Sequence, residues 1–413
     1  MAMVLRLTGC MEGENPHKGK WRAVACLATA LFLYLAVSNQ GVSAENLATE
    51  TLAAVQPSPP PMTTLDAKYL PDPIGAPSLD GLESIPSNFN RAMQLLPAAV
   101  PPSAAPDVVG AFRFICQPSH LNYDDPIAYP GMIGGSPHLH QWFGNTLANG
   151  KSTYKTLRTA GDSSCMGPLN RSAYWQPAMI DQDNMVVQPD YISIYYKRRA
   201  KSDPQCRIMG TACIGIPRGL RFIFGYDMNR MHKPQPENQN FSYKCVTPKW
   251  ADRGAKVKRL DQLECLPGDS IMINLASPEC WDGKNLDSVD HRSHLANAGY
   301  GNTGVYRCPI THPYVIPQFT LGASYTVLPD DNFRTWYLSS DRMPGMLPLP
   351  NGSTFHADWY GAWDSETQAT WESNCLDKLL NCSDGILGNG TIMRRPAGFG
   401  LKAGQRLKIP VRP

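Results

Sequence analysis

Two histidines one residue apart are the first feature of the sequence that could carry out chemistry. His138 and His140 lie within SPHLHQWFGN at residues 136–145. In an extended segment alternate side chains point to the same side, so the two imidazoles could share one ion. Such pairs also arise by chance, and a histidine can equally hydrogen-bond to a backbone carbonyl group. Both interpretations are therefore open at this point.

A second group of acids and imidazoles lies in residues 280–294. Asp290 could orient the adjacent His291, act as a base or bind a cation, and His294 could join if the segment turns once. The alternative is a hydrogen-bonded or calcium-stiffened surface loop, because Asp, Asn, Ser and Gly are the usual residues of turns.

A third group, residues 355–364, combines acids, a histidine and aromatic rings. Trp359 and Trp363 beside His356 and Asp358 are what a sugar-binding cleft needs: ring faces for the sugar, and carboxylates for its hydroxyls or for acid–base catalysis. The alternative is that these aromatic residues belong to the core. His120 and His232 have no comparable neighbours and are expected to be structural.

From these groups we select three sets of candidate residues. The candidate catalytic residues are His140, Asp290, His291, His294 and Asp358; the candidate metal ligands are His138, His140, His294 and His356; the candidate substrate-binding residues are Trp142, Trp281, Asp282, Trp359 and Trp363. Imidazole and carboxylate ligands suit one divalent Zn, Cu or Mn ion, and Ca less well, since Ca would use the Asp-rich residues 282–290 instead. No dinucleotide or P-loop motif occurs, so no nucleotide cofactor is expected.

The N-terminus indicates the compartment in which these residues work. Basic residues at 18, 20 and 22 precede an apolar run at 23–37 that ends near Ala44, as in a signal peptide over residues 1–44. The run is shorter than the roughly 20 residues of a membrane-spanning helix, although an uncleaved anchor is the alternative. We therefore expect a secreted or periplasmic protein, cleaved near Ala44, without a membrane span in the mature chain.

Export determines how the cysteines are interpreted. Of twelve cysteines, Cys10 and Cys26 fall in the signal peptide, and the remaining even number predicts disulfides without a spare thiol. Cys206/Cys213 and Cys375/Cys382 are close enough in sequence to pair locally.

The elements that must position these groups are predicted to be mainly strands. After a Pro/Ala-rich linker or extended arm at residues 45–106, residues 107–413 are expected to form a single globular domain. Short apolar runs between Pro, Gly and Asp predict an antiparallel sandwich, jelly-roll-like, with long disulfide-linked loops and few short helices, one of them near residues 365–374. The formal net charge of +3, without basic runs, gives no reason to expect a nucleic-acid partner, and we expect a monomer.

Several motifs in order closely resemble a secreted domain family of unknown function. They are HLHxxFGN at 138–145, SAYWxP at 172–177, CWDGxNLDS at 280–288, DHxSH at 290–294 and HP at 312–313. Members of that family occur in bacteria and fungi, in fungi often beside WSC carbohydrate-binding modules. The chain departs from the usual pattern at Trp142 and at Ala357. The resemblance implies no agreed catalytic residues.

Three functions follow as hypotheses. The first is a secreted hydrolase-like protein that acts on or binds extracellular polysaccharide or another cell-envelope polymer, with a His/Asp cluster around a divalent metal. The alternative is a non-catalytic cell-wall or glycan-binding structural protein whose histidines brace loops. A nuclease or phosphoesterase is the weakest hypothesis. The first requires histidines that are distant in sequence to meet in one accessible pocket.

Overall fold

Short strands dominate the computed structural model, which describes residues 82–206, 211–231, 233, 235, 240–300 and 306–413. The predicted signal peptide, residues 45–81 of the Pro-rich segment and His232 lie outside the described residues. The strands are, in chain order, β1 Leu95–Pro97, β2 Gly110–Cys116, β3 Leu121–Asn122, β4 His140–Gly144, β5 Ala173–Pro177, β6 Met179–Ile180, β7 Met185–Val187, β8 Tyr191–Arg198, β9 Ala212–Cys213, β10 Arg221–Gly225, β11 Phe241–Val246, β12 Asp252–Val257, β13 Ser270–Ala276, β14 Cys280–Trp281, β15 Leu295–Ala296, β16 Tyr314–Val315, β17 Gln318–Thr326, β18 Tyr337–Leu338, β19 His356–Tyr360, β20 Asn381–Cys382, β21 Thr391–Met393 and β22 Arg406–Lys408.

Helices are few and short in the described part of the chain. They are α1 Tyr154–Thr159 and α2 Ser365–Trp371, with a π-helical turn at Glu372–Leu376 and short 3₁₀ turns elsewhere. The predicted helix near residues 365–374 is thus present, and its N-terminus is capped by the Asp364 side chain, which accepts a hydrogen bond from the Thr367 N–H. None of these helices has the length and apolar character needed to cross a bilayer.

Two of the five sheets in the described part of the chain form the sandwich, and the larger of these two has the strand order β12-β11-β13-β17-β8-β2-β20. Its pairs are antiparallel except β2 with β20, and exposure alternates along β8, so Ile192, Ile194 and Tyr196 face the core. This alternation is the pattern expected of a sheet with one buried face.

The smaller sheet, in the order β10-β19-β5-β4-β3, packs against the larger one. Phe319 of β17 lies 5.9 Å from Phe222 of β10 and 5.4 Å from Trp359 of β19, measured between ring centroids. The chain passes repeatedly from one sheet to the other. The prediction of a mainly β antiparallel sandwich with few short helices is therefore confirmed.

The smaller sheet is covered on both faces. Every residue of β4, β5 and β19 is buried. Strands buried on both sides need a second layer over their outer face. Here loops supply that layer, and the candidate site lies beneath them.

Disulfides tie these long loops to the sheets. The five pairs are Cys116–Cys165, Cys206–Cys213, Cys245–Cys265, Cys280–Cys308 and Cys375–Cys382. Both predicted local pairings are confirmed, and no cysteine of the globular region is left as a free thiol. Five disulfides fit an extracellular protein.

Described residues of the predicted arm contact the sandwich. Strand β1 pairs with β21, and Arg91 forms salt bridges with Asp364 and Glu366. The boundaries at residues 44 and 106 remain predictions.

Candidate metal centre

Three histidines meet on the outer face of the smaller sheet. His140 begins β4 and lies opposite Pro177 of β5, while His356 begins β19 on the other side of β5. His138 precedes β4 and reaches the same point. One nitrogen from each ring lies within 4.8 Å of the others, and all three residues are buried. This group, His138, His140 and His356, can hold a metal ion.

Hydrogen bonds to backbone carbonyl oxygens fix two of these rings. Nδ1 of His140 lies 2.9 Å from the carbonyl oxygen of Asp124, and Nδ1 of His356 lies 2.9 Å from that of Thr354. A carbonyl oxygen can only accept, so each Nδ1 carries the proton and each Nε2 keeps its lone pair. Nε2 of His140 is buried and has no hydrogen-bond partner among the described residues. Metal-binding histidines are usually held in this way.

The protonation state also suits a metal. Burial lowers the pKa of His138 to about 4, and burial together with neighbouring imidazoles lowers the pKa values of His140 and His356 well below the usual range. All three rings are therefore neutral near pH 7, which is the form that binds metals. Tetrahedral ligands at a Zn–N distance of about 2.1 Å are roughly 3.4 Å apart, so modest ring movements would close the group on an ion.

A buried carboxylate lies beside the three histidines. Asp358 is two residues after His356, so both side chains point to the same face of β19. It is 1% exposed, and neither of its oxygens has a hydrogen-bond partner among the described residues. Burial, followed by the charge of Asp125, raises its pKa well above the usual range, and Arg292 opposes this.

A second carboxylate, Asp125, was not among the predicted residues. It is buried, and its Oδ1 accepts hydrogen bonds from the backbone N–H groups of Ile127 and Ala128, both at 2.9 Å. Burial raises the pKa of Asp125 to about 6. Asp125 follows Asp124, whose carbonyl oxygen orients His140. This adjacency is the one sequence feature that could have pointed to Asp125, and it can be interpreted only once the fold is known.

All of these groups except His140 line one pocket of about 160 Å³. His138, His356 and Asp358 form its sheet side, and Asp125, His291 and Arg292 come from the covering loops. Tyr129 also lines the pocket and is partly exposed. The pocket thus joins the histidine group to the loop of residues 282–294.

Of the residues predicted in that loop, His291 faces the pocket. Its Nδ1 lies 2.9 Å from Oδ1 of Asp287, so its orientation comes from Asp287 and not from the adjacent Asp290. The hydrogen bond to Asp287 raises the pKa of His291, and burial partly offsets this.

Asp290 and Asp282 instead stabilise the loop. Oδ1 of Asp290 accepts four hydrogen bonds, two of them from Ser293, and these bonds keep its pKa below the usual range although burial opposes them. Oδ1 of Asp282 accepts from the backbone N–H groups of Lys284 and Asn285. A carboxylate so fully engaged is a poor candidate for a base or a ligand.

His294 does not join the three-histidine group. Its Nδ1 lies 2.8 Å from Oγ of Ser288 and its Nε2 lies 3.0 Å from the carbonyl oxygen of Arg221, so neither nitrogen is left for a metal. His312 is likewise engaged at both nitrogens.

The four tryptophans predicted to bind substrate lie in the interior. Trp142 and Trp281 are 0% exposed, Trp359 is 1% and Trp363 is 2%. Trp142 stacks on Trp175 at 4.4 Å on the same sheet face as the histidines. Because no ring face is open, none of the four can stack on a sugar in this conformation.

Comparison with known proteins gives a family and nothing more. The family described as "Domain of unknown function (DUF1996)" matches residues 125–363, more than half of the chain, and this range includes every residue of the pocket described above. No curated protein and no solved structure matches the chain.

Proposed function

The chain belongs to the DUF1996 family of domains of unknown function, and from this premise and the pocket we propose that it is a secreted, metal-dependent hydrolase of extracellular polysaccharide or another envelope polymer. The observation that carries the proposal is the three-histidine group, two of whose members, His138 and His356, line one pocket together with a buried carboxylate that has no hydrogen-bond partner among the described residues. Buried unsatisfied polar groups are rare in folded proteins and call for an explanation.

In this proposal His138, His140 and His356 hold one divalent ion, Zn, Cu or Mn. Neutral imidazoles suit Zn and Cu, whereas Mn prefers oxygen ligands such as the Asp358 carboxylate, and three histidines with an open position are typical of catalytic zinc. When bound, the ion would polarise the scissile group and lower the pKa of water. Asp358 has free lone pairs at the pocket and would accept a proton there.

Arg292 forms a salt bridge with Asp227 at 3.7 Å, and its charge opposes the rise in the pKa of Asp358. Its guanidinium donates to the carbonyl oxygens of Gly225 and Tyr226, at 3.2 and 2.7 Å, and is therefore fixed in place. Burial lowers the pKa of Arg292, and the charges of Asp227 and then Asp358 oppose this. A polar pocket of this kind suits a hydroxyl-rich substrate group.

The alternative, a glycan-binding protein without catalysis, depended on open aromatic rings. The four candidate tryptophans are buried, so we prefer the hydrolase. Disulfides and the predicted signal peptide support action outside the cell.

The test uses the full chain, produced in an oxidising compartment and loaded with Zn, Cu or Mn. We expect elemental analysis to find about one ion per chain. We also expect the protein to release reducing ends or ester acids from a panel of cell-wall polysaccharides, and chelation or His356→Ala to abolish that release. His120→Gln, which changes a histidine of the neighbouring loop outside the pocket, should keep both metal and release.

Two results would overturn the proposal. One is that no metal is retained under any loading condition. The other is that the His138→Ala/His356→Ala double variant releases product as fast as the wild type does.

A further inference from the structure

We infer that His291 is the residue that transfers protons to and from the substrate in this pocket, and that Asp287 and Arg221 hold it in position. The inference rests on the proposed hydrolase function and adds the acid–base group to it. Neither Asp287 nor Arg221 was among the predicted site residues.

Three side chains form a continuous hydrogen-bonded series. His291 Nδ1 donates to Oδ1 of Asp287 at 2.9 Å, and Nε of Arg221 donates to Oδ2 of the same carboxylate at 3.0 Å. The backbone N–H of Ser288 adds a further bond to Oδ1. Asp287 is thus held through both oxygens, and it in turn fixes the tautomer of His291.

This arrangement leaves one nitrogen of His291 for chemistry. With the proton on Nδ1, Nε2 is the atom that can give or take a proton, and it has no hydrogen-bond partner within the described residues. The side chain is 24% exposed, so it can exchange protons with solvent, unlike the three buried histidines. A histidine held by a carboxylate with its other nitrogen free is the usual geometry of a general acid–base group.

The backbone at His291 is held in an uncommon conformation. Its φ is 57°, in the left-handed region that residues other than glycine rarely adopt. The His291 carbonyl accepts from the N–H of Ile223 in β10, and its own N–H donates to the Ser288 carbonyl. These two bonds anchor the ring at the edge of the smaller sheet, beside β19. Strained residues of this kind are concentrated at functional sites.

The charges around His291 favour its protonated form. The hydrogen bond to Asp287 is the largest influence and raises its pKa, Asp125 adds to the effect, and burial and Arg221 oppose it. Arg292 is next to His291 in the same loop, and Asp358, His138 and His356 form the sheet side of the pocket. His291 can therefore act as the acid, and the oxygens of Asp358, which have no hydrogen-bond partner among the described residues, offer an acceptor for the second proton.

The proton balance of hydrolysis is complete with these two residues. The oxygen of one water forms a bond to the carbon of a glycosidic or ester group, and the bond from that carbon to the leaving oxygen breaks, with its electron pair going to the leaving oxygen. His291 Nε2 gives its proton to the leaving oxygen. Asp358 takes the proton that the water loses, and both residues then re-equilibrate with solvent.

The experiment compares three variants in the metal-loaded full chain. His291→Gln should lower kcat by about 100-fold or more, the usual contribution of a general acid–base group, with metal content unchanged. Asp287→Asn should lower the pKa of His291, so the basic limb of the kcat profile moves to lower pH. Asp290→Asn removes a charge from the same loop but keeps the Oδ1 that accepts its bonds, so it should leave the profile where it is.

A second measurement does not depend on turnover. Nitrogen-15 NMR of the histidine rings should find neutral His291 protonated at Nδ1, with a pKa above the ordinary value, and Asp287→Asn should lower that pKa.

The outcomes separate the inference from the proposed function. If the wild type hydrolyses nothing, both fall. If the wild type is active and metal-dependent but His291→Gln is equally active, the inference alone falls. It also falls if Asp290→Asn moves the profile as far as Asp287→Asn does, or if His291 titrates at or below the ordinary value.

Discussion

Two regions of the molecule are rich in histidine and aspartate, and they differ in how their polar atoms are used. On the smaller sheet, Nε2 of His140 and both oxygens of Asp358 are buried without a hydrogen-bond partner among the described residues. In the loop of residues 282–294, one oxygen of Asp290 accepts four hydrogen bonds, and both ring nitrogens of His294 are engaged.

The difference separates groups that could bind a ligand from groups that stabilise a loop. Leaving a buried polar group unsatisfied costs about 1–3 kcal/mol, so a fold that retains several such groups at one point has a reason to do so. The loop is the more conspicuous region in the sequence, yet most of its side chains serve its own conformation. His291 is the exception that connects the two regions.

The largest expected effect is on metal binding. His140→Ala should reduce zinc affinity at least about 100-fold, because changing outer-shell partners alone already costs about 10- to 100-fold. His294→Ala should retain zinc, although it removes an equally buried imidazole. Competition with a chromogenic chelator measures both affinities.

The comparison would fail if the two variants lost zinc equally. A thermal melt of each metal-free variant would show whether both remain folded. His140→Gln, which keeps more of the side-chain volume, provides a second test if the alanine variant unfolds.

The next effect is on stability, and its sign differs between two buried aspartates. Asp358→Asn should raise the free energy of unfolding of the metal-free protein by about 1–2 kcal/mol near pH 7, because the buried carboxyl group must either stay charged without hydrogen bonds or take up a proton on folding, and the amide does neither. Asp341 is equally buried, but its oxygens accept from the N–H groups of Leu338, Gly352 and Thr354. Asp341→Asn should lower the free energy of unfolding by about 2–3 kcal/mol, because the amide NH2 group cannot accept the hydrogen bonds that one carboxylate oxygen accepts.

Urea unfolding of the two variants beside the wild type measures both changes. If Asp358→Asn destabilised the protein as much as Asp341→Asn does, Asp358 would be a structural residue and the proposed site would lose its carboxylate.

Local patterns in the sequence were sufficient for several features. Short apolar runs predicted the sandwich, and the short spacing of Cys206/Cys213 and Cys375/Cys382 predicted two disulfides that are present. The period of two in an extended segment placed His138 and His140 together, and the group found in the structure includes both.

Local patterns could not predict which distant strands lie side by side, and therefore which distant residues meet. That His356 and not His294 joins the pair follows from the order β4-β5-β19, which no local pattern specifies. Trp359 and Trp363 each lie next to an aspartate, as in a sugar-binding cleft, but the same local pattern also occurs where tryptophans belong to the core. The partner of His291 depends on a left-handed turn that brings Asp287, four residues earlier, against its ring.

The smallest expected effect tests the loop itself. Asp290→Ala should lower the free energy of unfolding by about 1 kcal/mol, since the carboxylate is exposed and water can replace part of the four hydrogen bonds it accepts. Amide hydrogen exchange should accelerate at residues 292 and 293, whose N–H groups bond to it, and zinc content should be unchanged. Asp290→Asn, which keeps the accepting Oδ1, should show much less of either effect. Loss of zinc in Asp290→Ala would mean that the loop and the sheet form one binding unit. The contrast between a histidine group with unpaired polar atoms and a loop whose polar atoms are hydrogen-bonded would then no longer hold.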